Sequence, residues 1–491
     1  MQKIAEIRAA ESQVAERSLC IELHWKKTSS QLGFIRQIWD ELDDEYQDLQ
    51  ERVLQTLAEK LSRATANLEK VVRKPSRKTY HNKPQAEVRR FKYALLKESL
   101  DSTIEDLATW QRLFDPTWLL VVRMSSPLIE REFSRPELVQ HHQTSILSKA
   151  SCLRSAMRSN SSRETKLFLG DDELKTGEVL EIPFSIAKTF RRASSKTWMI
   201  LDIVECMLDS NLRQMKEDIR DLGSKLSVAD PELGNLQCRG VVIETDDSSK
   251  VPKSFDILFS MPNNMSNPQS LRAHLITGTA DQSLSDRLKI AKQLVQCVSY
   301  IHLYGFVHKN IRPETILCFD DHQSTLRSAF LVGFQKFRQA SGMTLMRGDM
   351  SWEANLYRHP DRQGMQPESN YVMQHDIYSL GVCLLEIGLW ETFIVYGEDL
   401  TTTPSFLITS GDAINTSFIL KDKFVSLAKK TLPSRMGNLY AQVVMNCLTC
   451  LDPDNEDFGD ETQFEDRDGI LIAVKYIEKV MMKMGTRSAI R

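Results

Sequence analysis

The stretch YIHLYGFVHKNIRPETIL, residues 300–317, decides how this chain is read. It opens at the end of an amphipathic helix, SDRLKIAKQLVQCVSYIHLYG, in which apolar residues recur at steps of three and four. Ser285 is placed to cap the start of that helix and Gly305 its end. A polar loop then runs through His308, Lys309, Asn310, Arg312 and Thr315. Two further pieces follow in order: FLVGFQKFR, an apolar strand closing on Gly333-Phe334-Gln335, and HDIYSLGVCLLEIG, apolar on nearly every face, as a buried helix is.

In this order the three pieces resemble the catalytic loop, the metal-binding loop and the central buried helix of a protein kinase. The resemblance is clear over residues 250–450 and faint over 165–250. It implies an H-R-D-x-x-x-x-N loop, whose Asp accepts the substrate hydroxyl proton and whose Asn holds a metal ion. Here His308-Lys309-Asn310 stands for H-R-D, and Thr315 stands at the metal-binding Asn. Arg312 replaces the lysine two residues after the base. Asn310 has the shape of Asp but is no base, and one hydroxyl at Thr315 is a poor metal ligand. At the D-F-G position, Gly333 supplies no carboxylate, although Mg²⁺ prefers charged oxygen ligands. The base and both metal ligands are therefore replaced together.

What the resemblance preserves is scaffold. Tyr357-Arg358-His359-Pro360-Asp361 is similar to Y-x-A-P-E, and Asp376-Ile377-Tyr378-Ser379-Leu380-Gly381 to D-x-W-S-x-G. His308, Phe334, Pro360, Asp361, Asp376 and Gly381 are thus expected to hold the fold. Asp376 is expected to accept hydrogen bonds from the backbone of the catalytic-loop equivalent. Ser341, Thr344 and Ser351 fall in the activation-segment equivalent, where phosphorylation is an open reading.

Upstream, residues 166–262 alternate strand and helix signals: LKTGEVLEIPF and TWMILDIVECM as strands, 211–226 as a helix, then LQCRGVVIE and SFDILFSM as strands. That order matches a kinase small lobe, and a small α+β insertion is the alternative. No G-x-G-x-x-G is present, and the strand expected to carry V-A-I-K reads M-I-L-D. Asp202 then stands where a phosphate-binding lysine belongs, and Glu217, a candidate for its helix partner, has no lysine to meet.

The N-terminal third is helical. From residue 30 to 72, Ile35, Trp39, Leu42, Tyr46, Leu49, Val53, Leu57, Leu61, Ala64, Leu68 and Val71 recur at helical spacing, predicting one long helix. A second begins at Pro84 and is predicted to break at Asp115-Pro116. Two such helices bury their stripes by packing with further helices into a bundle. Lys70, Arg73, Lys74, Arg77, Lys78, Lys83, Arg89 and Arg90 concentrate positive charge. They fit an anionic phospholipid or another acidic partner, with a solvated helix end and loop as the favoured plainer reading. The Ser- and Arg-rich KASCLRSAMRSNSSRET reads as a linker or brace.

At 491 residues the chain holds several domains: a helical bundle over 1–148, a linker over 149–165, and a two-lobed α+β kinase-like fold over 166–262 and 263–491. The formal net charge of −3 argues against nucleic acid as a partner. Nine scattered cysteines suit a reducing compartment, and Cys447–Cys450 lies in a helical pattern without a second pair. The N-terminus has no signal-peptide pattern and no run is long enough to span a membrane, so a cytoplasmic location is expected, with recruitment to membranes through the bundle.

A bundle ahead of a kinase-like domain with G-F in place of D-F-G is similar to mixed-lineage kinase-like pseudokinases and to fungal HeLo-type helical domains joined to degenerate kinase domains. This implies a signal-receiving pseudokinase and a bundle that self-associates, in cell death or immunity. The start, MQKIAEIRAA, departs from the apolar, glycine-rich helix that often opens such bundles. The expectation is a catalytically impaired switch or scaffold with protein partners, whose cofactor is undetermined and which binds ATP, if at all, without Mg²⁺. The alternatives are a nucleotide-free structural adaptor and an active atypical Ser/Thr kinase. An active kinase would need compensating acids, for which Asp320, Asp321 and Asp349 are nearest.

Overall fold

A computed structural model describes residues 2–72, 90–124, 126–134, 147, 150–151, 153–154, 167–170, 174, 177–206, 211–229, 234–246, 248–249, 251–278, 282–322, 327–339, 351–364, 370–397, 399, 401–408, 417–458 and 475–485. The chain divides into two compact units, Met1–Ser151 and Cys152–Arg491. The first is helical; the second combines a mixed sheet with helices.

The first unit packs α1 (Gln2–Gln37), α2 (Asp44–Val71) and α3 (Arg90–Leu119) side by side, with a short α4 (Pro127–Phe133). Ala10, Val14, Val71, Tyr93 and Leu100 form one of its cores. Polar pairs cross between helices: Arg17 with Asp101 at 2.5 Å and Lys60 with Asp106 at 2.6 Å. The stripe from Ile35 to Val71 is mostly buried, but not on one helix. The chain leaves the helical path after Gln37, turns through Trp39–Glu41 and restarts at Asp44. Asp43 caps the restart by accepting from Tyr46 N at 2.7 Å, and the Gln47 amide satisfies the Trp39 and Leu42 carbonyls. The break predicted at Asp115-Pro116 is also corrected, because α3 continues through Pro116 to Leu119. A proline there removes a single hydrogen bond, and the backbone tightens at once into the 3-10 turn Leu120–Val122. Residues 73–89 and most of the 149–165 linker lie outside the described residues.

In the second unit, β1 (Phe168–Leu169), β2 (Glu178–Glu181), β3 (Lys188–Arg191), β4 (Trp198–Glu205), β5 (Cys238–Thr245) and β6 (Pro252–Ser260) form one sheet. Its order is β1-β5-β6-β4-β3-β2. Helix α5 (Leu212–Ser227) packs on β5, its start capped by Asn211. The sequence pattern had not marked β3. Met265–Ser270, β7, leads into α6 (Leu271–Thr277) and α7 (Leu284–Leu303). The N-cap of α7 is Ser283, not Ser285, because the helix begins one residue before the predicted cap. After β8 (Phe306–Val307), the strands β9 (Ile316–Asp321) and β10 (Ser328–Leu331) pair antiparallel, and β11 (Arg338–Gln339) returns to β8.

The helical part is built around α9 (Met373–Leu389), which follows α8 (Trp352–Asn355) and is buried along its whole length. It packs against α7 and against α10 (Ser417–Lys430), α11 (Leu432–Met436) and α12 (Asn438–Leu448). Gly381 makes the α9–α12 approach: a Cβ there would stand 2.8 Å from the Cys447 Cβ. Cys447 and Cys450 are buried free thiols in this packing, and no group of three or more metal-ligating side chains occurs among the described residues. Among the same residues, no helix is long and apolar enough to cross a membrane.

Candidate functional site

Four segments meet where the sheet adjoins the helical part: β4, the loop of residues 308–315 and residues 332–335, which carry predicted site residues, and the β2–β3 loop, which the sequence reading had not singled out. Asp376 organises the loop of residues 308–315. It is fully buried and accepts from His308 N at 2.7 Å, Lys309 N at 2.9 Å and the Tyr371 hydroxyl at 2.7 Å. His302 Nε2 lies 3.1 Å away. Burial pushes the Asp376 carboxyl up, yet His302, His308 and Tyr371 together hold it below the usual carboxylate range.

His308 is buried, donates to the Val332 carbonyl at 3.1 Å and packs its ring 4.9 Å from Phe334. Burial lowers it to about 4, so it is a neutral packing group at pH 7. Lys309 adopts a left-handed backbone (φ 64°) and sits 5.4 Å over the Tyr371 ring. Desolvation, with Arg338 and Arg362 nearby, lowers its ammonium to about 8.

The positions that would serve a metal are spoken for. The Thr315 hydroxyl lies 2.9 Å from the Asn310 carbonyl and 2.8 Å from that of Arg312, and it accepts from Arg312 N at 3.2 Å. It is a loop tie. The Asn310 amide donates to the Gly333 carbonyl at 3.4 Å. Gly333 is left-handed (φ 88°), and a Cβ on it would come within 2.6 Å of both Thr315 Cγ2 and Ile186 Cδ1. A side chain at this position therefore has neither the backbone nor the space.

Asp202 projects from β4 into the same place. One of its oxygens accepts from Gly333 N at 2.7 Å and Phe334 N at 2.9 Å, while the other has no hydrogen-bond partner. Burial raises it to about 6, the two N–H bonds pull it back only in part, and Asp256 adds repulsion. Glu217 is distant from this in its bonding, paired with Arg213 on the outer face of α5. Among the described residues, Thr315 and Gly333 offer a magnesium ion no carboxylate, and Asp202, buried and engaged through one oxygen by Gly333 N and Phe334 N, is an acid that would repel phosphate.

The remaining predicted positions fall around the site. Pro360 and Asp361 form a 3-10 turn, with the Asp361 carboxylate 3.4 Å from His359. Ser351 caps α8. Ser341, Thr344 and Asp349 are outside the described residues. Asp320 bonds Asn267 and Asp321 pairs with Lys289, at the far end of β9 from Thr315. Five residues of strand, about 16 Å, separate them from the site. Arg73, Lys74, Arg77, Lys78, Lys83 and Arg89 lie outside the described residues, as does the Arg90 side chain, and Lys70 bonds Asn67.

Sequence reasoning missed a buried charge network beneath the site. Arg272, fully buried on α6, binds Glu314 and Glu386 at 2.9 Å each and reaches the Tyr357 hydroxyl at 2.5 Å and the Thr392 hydroxyl. Desolvation lowers the Arg272 guanidinium, but Tyr357, Glu386 and Glu314 outweigh it and raise it. Arg272 and Arg312 hold Glu314 below its usual range against burial. The one signal was an arginine inside the apolar run LRAHLI.

No protein-family model matches the chain. It is similar to a probable cell division protein kinase of Encephalitozoon cuniculi, 33% identical over 122 residues, which are 25% of this chain and 36% of that protein. It is also similar to a serine/threonine-protein kinase-like protein of Arabidopsis thaliana, 30% identical over 105 residues, 21% of this chain and 27% of that protein. Part of this chain is protein-kinase-like. The matches span about a third of the length of these curated relatives.

Proposed function

We propose that this protein is a catalytically impaired, kinase-like signalling protein whose second unit serves as a switch or scaffold for protein partners. One observation carries the proposal: Asp202 accepts the Gly333 and Phe334 N–H groups, at the position where a metal-binding loop needs a carboxylate of its own. The substitution reverses the local charge logic, replacing a cation that attracts phosphate with a buried acid that repels it. In the same reading the helical first unit supplies self-association or recruitment to an anionic membrane, through the basic segment that begins at Lys70. A role in cell death or immunity is what the resemblance of this layout implies.

The test is phosphoryl transfer by the purified full chain with Mg²⁺ and ATP, beside an Asn310→Ala preparation. Equal background in both is the expected result. Transfer by the natural chain that Asn310→Ala abolishes would establish an atypical kinase instead. Thermal unfolding with ATP adds a second measure, because a ligand at a hundred times its dissociation constant adds about 2.7 kcal/mol. We expect no Mg²⁺-dependent gain. Of the readings without transfer, the nucleotide-free scaffold is favoured by Ile186, whose side chain lies against Gly333.

A further inference from the structure

The β2–β3 loop, residues 182–187, reads Ile-Pro-Phe-Ser-Ile-Ala. It does not arch away from the helical part. Ser185 Oγ donates to the Glu314 carbonyl at 3.2 Å, and Ile186 N donates to the same oxygen at 3.4 Å. The Pro183 carbonyl accepts from Ser270 Oγ at 2.7 Å, the hydroxyl that also caps α6. The Phe184 ring meets Tyr396 edge-on, with centroids 4.9 Å apart. Ile182 and Ala187, at the loop's ends, are buried. Phe184 adopts a left-handed backbone (φ 53°), unfavourable for an aromatic residue and held only when its surroundings fix it. The carbonyl that anchors the loop belongs to Glu314, whose side chain Arg272 grips.

We infer that residues 182–187 are an internal occupant of the cleft: a strap from the sheet that seats on Glu314 and fills, with Ile186, the space over Gly333. This rests on the cleft being non-catalytic as proposed above, and it assigns how the cleft is kept closed without a ligand. Arg272 acts as a positioning residue for the strap, since it fixes the loop whose carbonyl receives both donors.

Hydrogen–deuterium exchange on the full chain tests the strap. Seated, with Ile186 beside Gly333, it should protect its own amides and also Gly333 N and Phe334 N, which bond to Asp202. A Ser185→Gly, Ile186→Gly double variant should speed exchange at both places about tenfold, with α9 unchanged as the measure of intact fold. Ser185→Ala, which removes one donor and little bulk, should give a smaller change in the same two places. Exchange of residues 184–187 in the natural chain at the rate of a free peptide would overturn the inference. So would acceleration confined to the loop, with Gly333 and Phe334 as protected as before. Mg-ATP-dependent transfer by the natural chain would instead overturn the functional proposal while leaving the exchange result to stand.

Discussion

Two buried carboxylates hold neighbouring loops of the site and are shifted in opposite directions. Asp376, on α9, accepts two backbone N–H groups and a tyrosine hydroxyl beside His302, and it is held below the usual range. Asp202, on β4, also accepts two backbone N–H groups, but one oxygen is left bare and Asp256 is near, so it rises to about 6. Burial is complete in both cases and costs both carboxylates their hydration. The difference lies in how many donors repay that cost. Asp376 is therefore a structural keystone, whereas Asp202 is an acid the fold tolerates because it closes the loop at Gly333.

Asp376→Ala tests the first half of that contrast and should have the largest effect. It strands two backbone N–H groups, Tyr371 and His302, so a loss of about 4 kcal/mol is expected in urea unfolding. A loss below about 1 kcal/mol would mean the loop is held by other contacts. Arg272→Met comes next, at about 3 kcal/mol, because it leaves the Glu386 carboxylate buried without its cation. Arg272→Met with Glu386→Gln should recover part of that loss, and no recovery would deny the coupling.

Asp202→Asn should be smallest and of opposite sign. It keeps an oxygen for Gly333 N and Phe334 N while removing a charge the interior resists, so stability at pH 7 should stay level or rise by about 1 kcal/mol. A loss of the size expected for Asp376→Ala would erase the contrast.

Acid sharpens the same comparison. His274, His308 and His375 are lowered to about 4 and His359 to about 3, chiefly by burial. In the unfolded chain they take up protons near their ordinary value, about 6.5, so their contribution is lost as the pH falls toward 4. Asp202 and Asp256, both raised to about 6, work the other way. They bind protons in the folded state first, and so stabilise it as the pH falls through that window. Asp218 and Glu386 are raised as well, but the four histidines begin to take up protons in the unfolded chain at higher pH, so unfolding should become easier as the pH falls from about 6.5. Asp202→Asn removes one of the opposing groups and should make the fall steeper; an unchanged slope would place the Asp202 value near that of an ordinary carboxylate.

Some of this was legible in short stretches. The replacements at Asn310, Thr315 and Gly333, and the acid at Asp202, are read from residue identity within a few positions of one another in each motif. The stripe from Ile35 to Val71 gave the buried face of the first unit, but not its interruption. That break depends on whether Asp43 caps a new helix or rides within an old one, and with neither proline nor glycine present the periodicity favoured continuity. Pro116 misled in the other direction, because a proline near a helix end removes little.

By itself the sequence determined which side chains stand at the motif positions and which faces must be buried, since both depend on side-chain type and local spacing. Only the tertiary structure decided what those side chains meet. Arg272 meets Glu386 across 114 positions, and Asp202 meets Gly333 across 131. Ser185 reaches Glu314 across 129. Contacts at such separation are made by chain folding, where burial and donor count set the energy, and no local pattern encodes them.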